Sequence, residues 1–195
     1  MRPFTPWLLL SVLALSACGG REPSRGARVG DYVGGSVPVE CVPFARALSG
    51  VRLAGAAADW WGEAEGRYSR TRAPEVGSVL VMQRSGRLPS GHVAVVSQVL
   101  SGREILVTQA NWVHHRVTAD QPVVDVSPRG DWSVVRVWWP PSGQMGVTDY
   151  PALGFIRATR PANHDMLMTE TPRAIRVARD GGKADRRGGV EHGKF

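Results

Sequence analysis

The chain has 195 residues, 43% hydrophobic and 21% charged, an ordinary globular balance that excludes a wholly disordered protein and leaves room for one domain with a short appendage. Its formal charge is +7, but 22 of the 24 basic residues are Arg and nine of the 24 fall in the last 39 positions, so the excess is partly a property of the tail and says little about a ligand. Two Cys residues without a CxxC pair exclude a zinc ribbon.

Met1 and Arg2 give a positive start, and residues 7–17 (WLLLSVLALSA) form an apolar run of signal-peptide length. The run is shorter than the roughly 20 residues of a permanent membrane helix. It ends Leu15-Ser16-Ala17-Cys18, which resembles the lipobox of bacterial lipoproteins. That resemblance implies a signal peptide over 1–17, lipidation of Cys18 as the first mature residue, and a membrane anchor through it. A periplasm-facing lipoprotein of the cell envelope is expected, and Gly19, where an inner-membrane protein commonly has Asp, favours the outer membrane. Cys41 is then the one thiol left, in an oxidising compartment and without a disulfide partner. Such a thiol is either buried and inert or has chemistry to do.

Residues 18–37 are rich in Gly, Arg and Pro and read as a tether. Residues 38–158 read as the folded domain. Residues 39–48 suit a short helix, with Pro43 tolerated in its first turn, and residues 54–65 (AGAAADWWGEAE) suit a second. The period then changes to two: 78–83, 92–100, 104–110 and 132–138 are rich in Val or Ile, bounded by Gly, Pro or Asp, and predict strands. Helices followed by strands indicate an α+β domain with an antiparallel sheet. Residues 159–195 are polar and Arg-rich and predict a disordered, basic tail.

Three points carry the candidate chemistry. Cys41 opens a helical stretch, where the peptide dipoles and unpaired N–H groups stabilise a thiolate and lower the thiol pKa; a small apolar residue at a helix start is the competing reading. His92 opens an apolar strand directly after Gly91, and an imidazole is the natural acceptor of a thiol proton. Gln109 and Asn111 share one strand face, and either could hold the far nitrogen of His92. Asn111 is equally at home as a turn residue. His114 and His115 follow in a loop, without a metal-ligand spacing. Neither a metal nor a cofactor is expected. Trp60, Trp61, Trp112 and Trp132 are candidates for core packing first and for a ligand cleft second.

Nucleophile, base and orienting residue in that order match the papain-like arrangement. Over residues 38–157 the sequence resembles a CHAP domain, the cysteine- and histidine-dependent amidohydrolase/peptidase group among the NlpC/P60-like, papain-like hydrolases. The resemblance rests on ECVPFAR around Cys41, DWW at 59–61, PEVGSVLVM at 74–82, GHVAVV around His92, ANW at 110–112, DVSPRGDWSVVRVW at 125–138 and GFI at 154–156. It implies N-terminal helices packed on a small antiparallel β-sheet, with Cys41 as nucleophile and His92 as base. Asn111 is the first choice for the third role, with Gln109 two positions before it. Glu40 stands where many members have Gln, so an oxyanion would have to rest on backbone N–H groups. Ser78 replaces a frequent Asp, and Gly130 an Asn. The implied activity is cleavage of amide bonds in peptidoglycan, as an endopeptidase or an N-acetylmuramoyl-L-alanine amidase. Peptidoglycan is then the partner, nucleic acid is not, and a monomer is expected. The alternative is a peptidoglycan-binding or scaffold lipoprotein on the same fold with weak or absent catalysis.

Overall fold

The computed structural model describes residues 30–188, so the signal run and Cys18 lie outside the described residues. In chain order the elements are β1 (Tyr32–Val33), α1 (Cys41–Ser49), a 3-10 turn (Ala57–Asp59), α2 (Trp60–Glu63), β2 (Arg70–Thr71), β3 (Val79–Met82), β4 (His92–Ser101), β5 (Glu104–Ala110), β6 (Val117–Asp125), β7 (Val134–Trp139), β8 (Gln144–Met145), β9 (Tyr150–Ile156) and α3 (His164–Gly188). The end of the expected tether is part of the fold, because β1 pairs antiparallel with β6.

The sheet closes on itself. β3 pairs with β4, β4 with β5, β5 with β6, β6 with β7, β7 with β9 and β9 again with β3, all antiparallel. The expected α+β fold of N-terminal helices on a small antiparallel sheet is therefore corrected: the fold is mostly β, built round a closed six-stranded barrel, with three α-helices among the described residues. The ring is completed by β6 and β9, whose sequences hide their strand character. β6 carries Asp120, Gln121 and Pro122 in its middle, and β9 contains Pro151 and Gly154. All four residue types are depleted in strands or break the pattern.

Strand alternation divides the core in two. Leu80, Met82, Ala94, Val96, Ile105, Val107, Val123, Val135, Val137, Ala152 and Phe155 come from all six ring strands and fill the barrel with Trp132. Val79, Val81, Val93 and Val95 face the other way and pack under α1 and α3. α1 contributes Phe44, Ala45 and Leu48 to that outer layer and stops at Gly50, whose left-handed φ of 77° lets its N–H reach Arg46 O.

The second correction concerns the tail. Residues 159–195 read as disordered on composition, yet α3 buries Leu167, Thr171, Ala174, Ile175 and Ala178. That spacing is the stripe of an amphipathic helix. Its partner is α1, so the C-terminal helix joins α1 and the Trp60 end of α2 in the outer layer. The start of α3 is tied to the barrel at Asp120, where His164 Nε2 donates to Oδ2 at 2.9 Å and Ser97 Oγ donates to Oδ1 at 2.7 Å. Asp120 itself sits at a positive φ of 50°, beside a register shift between β5 and β6.

Candidate active site

Cys41 is the first residue of α1, preceded by Glu40 in an extended conformation with no side-chain cap. The sulfur meets the backbone N–H of Val93, the residue after His92, as well as the N–H groups of Val42 and of Cys41 itself. These donors favour thiolate, but they do not win. Burial pushes the thiol up from its ordinary value, and the nearby Glu40 carboxylate adds to the rise. The depressed thiol pKa expected from a helix start is therefore corrected to a raised one.

His92 reaches the site because Gly91 precedes it at φ 72°, with backbone and Ala58 pressed against the glycine where a side chain would be. The imidazole is 4% exposed, and Trp112 meets it edge-on with ring centroids 5.1 Å apart. Trp112 meets Tyr150 in the same manner, also at 5.1 Å. Burial pulls the His92 pKa down to about 4, against the hydrogen bond His92 donates to Gln109, which favours the cation. At neutral pH the resting pair is thus a thiol and a neutral imidazole.

The partner of His92 is Gln109, whose Oε1 lies 2.7 Å from Nε2. Asn111 is not on the ring. Its Nδ2 donates to Glu40 Oε2 at 2.7 Å and its Oδ1 accepts the His115 N–H at 2.9 Å. Of the two residues expected to compete for the ring, the structure places Gln109 on it and Asn111 on Glu40: Asn111 holds a left-handed φ of 60° just past the end of β5. Behind Gln109 stands a residue that sequence reasoning missed. Gln109 Nε2 donates to Gln121 Oε1 at 2.9 Å, and Gln121 Nε2 donates to the carbonyl of Trp138 at 2.6 Å. The one available signal was a polar pair, Asp120-Gln121, inside an otherwise strand-like stretch.

The remaining candidates scatter. Trp60 and Trp132 are buried in the two cores, while Trp61 is half-buried with the Arg70 guanidinium 5.2 Å above its ring. His114 and His115 stack on each other at 3.7 Å. Among the described residues no group of three or more His, Cys, Asp or Glu side chains is placed to hold a metal ion. The arrangement thus places a buried thiol at the start of α1 against the residue that follows a buried imidazole held by Gln109.

Residues 30–111 match the CHAP domain family model. The CHAP match contains Cys41, His92, Gln109 and Asn111, and ends before β6. The support behind Gln109, the Trp112 contact and α3 all lie beyond it. A solved structure, that of Ly7917 with the hydrolyzing product of MDP, is 15% identical and covers 69% of this chain and 91% of its own, at a TM-score of 0.32. No curated protein matches the chain.

Proposed function

We propose that the chain is a cell-wall hydrolase that cleaves amide bonds in peptidoglycan, with Cys41 as nucleophile, His92 as general base and Gln109 holding the ring. The observation that carries this reading is the His92–Gln109 bond, together with the N–H of the next residue, Val93, on the sulfur of Cys41, inside a stretch that matches the CHAP domain. Gln109 occupies Nε2, so Nδ1 is the nitrogen that takes the thiol proton as the sulfur attacks the amide carbonyl. The proton moves in the same step as attack, because neither group is ionised at rest. His92 then returns it to the leaving amine, and water hydrolyses the thioester. The oxyanion rests on backbone donors, the Cys41 N–H among them, each contributing about 3 kcal/mol. Glu40 cannot donate and the Asn111 amide is committed to it.

On this reading the chain works as a lipoprotein, anchored through Cys18 at the periplasmic side of the envelope, the outer membrane being the favoured side. The raised thiol pKa favours one competing reading, a wall-binding protein with weak catalysis.

The full chain and Cys41→Ala, each incubated with purified sacculi, separate the two. Soluble fragments released only by the intact thiol are expected, and their masses distinguish amidase from endopeptidase. Sacculi bound by both proteins without release would establish the binding reading instead.

A further inference from the structure

We propose that Gln121, buried in β6, is a positioning residue that decides which ring nitrogen of His92 carries the proton. It acts through Gln109, and its importance for turnover rests on the reading of His92 as the base for Cys41.

One end of the hydrogen-bond chain admits no choice. The main-chain carbonyl of Trp138 can only accept, so the end of Gln121 that faces it at 2.6 Å is the amide NH2. The Gln121 oxygen therefore points the other way, where it accepts from Gln109 Nε2 at 2.9 Å and from the Thr118 hydroxyl. With its NH2 so committed, Gln109 presents Oε1 to His92 Nε2 at 2.7 Å. An amide oxygen only accepts, so Nε2 carries the hydrogen and Nδ1 keeps its lone pair. Thr118 does not set this polarity, since a hydroxyl serves as donor or acceptor. The order is thus passed from β7 to β6, β5 and β4, strand by neighbouring strand.

Burial keeps the order from reversing. His92 is 4%, Gln109 1% and Gln121 0% exposed, so bulk water does not compete for their polar atoms. Turning over either amide would set donor against donor or acceptor against acceptor. If Gln121 is lost, the Gln109 amide is free to flip and present its NH2 to the ring. Nδ1 would then hold the hydrogen, and a protonated nitrogen cannot accept one from the thiol.

A local break in β6 makes the arrangement possible. Positions 118 and 121 lie on opposite faces of a regular strand, being an odd number apart. Here they meet, because the left-handed Asp120 and the register shift beside it insert an extra half-turn of alternation.

The test reads the tautomer directly. The full chain is labelled with 15N-histidine, and the ring nitrogen shifts of His92, identified by their loss in His92→Gln, are recorded between pH 5.5 and 8. Wild type is expected to show a protonated Nε2 and a bare Nδ1. Gln121→Met, similar in volume, is expected to show mixed tautomers and to lower kcat on soluble peptidoglycan fragments at least tenfold with KM unchanged. A wild-type Nδ1–H ring, or a folded Gln121→Met that keeps the wild-type pattern, would overturn the proposal. Should Gln121→Met not fold, Gln121→Asn is one methylene too short to reach both neighbours and carries the same expectation and the same overturning result. The nitrogen shifts need no turnover, so a chain inactive on peptidoglycan with the expected shifts would remove the hydrolase reading and leave the tautomer assignment standing.

Discussion

The carboxylate of Glu40 and the amide of Asn111 are joined at 2.7 Å across 71 residues of sequence, immediately beside Cys41. The bond closes the loop after β5 onto the start of α1, and it holds a negative charge next to the sulfur. Most described carboxylates are ion-paired, as Asp59 is with Arg84 and Asp149 with Arg136, whereas Glu40 is held by the Asn111 amide and by no ion pair among the described residues.

Glu40→Gln keeps an acceptor for Asn111 and removes the charge. The Cys41 thiol pKa is expected to fall, because one of the two causes that raise it is gone. The pH dependence of iodoacetamide alkylation checks this. A midpoint that stays where it is in wild type would show that the carboxylate does not reach the sulfur.

Two histidines give stability of opposite sign against pH. His92 has a folded pKa of about 4, below the ordinary 6.5, so its contribution is whole above 6.5 and is lost as pH falls from 6.5 to 4, where the unfolded chain takes up a proton first. That interval corresponds to roughly 3 kcal/mol. His164 is raised by its bond to Asp120, so its contribution is whole below 6.5 and is lost as pH rises through the higher folded value. Urea unfolding across pH should show His92→Gln flattening the acid limb and His164→Gln the neutral-to-alkaline limb. Unchanged curves in either variant would refute the corresponding assignment.

Trp112 meets the buried His92 ring edge-on and covers part of it. In Trp112→Ala the imidazole becomes solvated and its pKa should climb from about 4 toward 6.5, which an NMR titration of the ring protons would follow. A value still near 4 would mean that other walls keep the ring dry.

Gly91→Ala should be among the costliest single-methyl additions in the chain. The new Cβ would lie 2.6 Å from Ala58 Cβ and 2.6 Å from the Met82 carbonyl oxygen, at a φ that L-residues rarely adopt. A loss above about 1 kcal/mol is expected, together with displacement of His92 and loss of its Gln109 bond. Thermal unfolding and the His92 nitrogen shifts report the two effects separately.

The helix at the C-terminus can be tested by Leu167→Ala. A buried leucine between α3 and α1 should be worth about 2–5 kcal/mol on truncation. A cost near zero in urea unfolding would mean that α3 does not stabilise the fold.

The positions of the candidate site residues were more legible in the sequence than the architecture. Cys41 before an apolar stretch and Gly91-His92 opening a Val-rich run are local signals, and local signals survive in a single sequence. Strands 78–83, 92–100 and 104–110 stand out because they are rich in Val, Ile and Leu between Gly, Pro or Asp, and the structure has β3, β4 and β5 there, buried on both faces. β6 did not stand out because its buried positions hold Thr118, Asp120 and Gln121, whose polarity is satisfied by bonds inside the protein, Thr118 to Gln121 of the same strand and the other two to neighbouring elements, and not by solvent. α3 was obscured by composition: Pro172 and its many charges outweigh the stripe through Leu167, Ala174 and Ala178 when residues are counted and not spaced. The choice between Gln109 and Asn111 turned on one backbone angle, the positive φ of Asn111, which no residue count reveals.

The closed ring also sets the smallest piece of this chain that can stand alone. A segment trimmed to residues 30–111 would keep β3, β4 and β5 but lose β6, β7 and β9. Both β3 and β5 would then be raw edges, offering unpaired N–H and C=O groups to any other chain. Such a fragment would retain Cys41, His92 and Gln109 and yet should aggregate. The stretch that carries the candidate site residues is shorter than the unit of folding, which runs at least from β1 to β9.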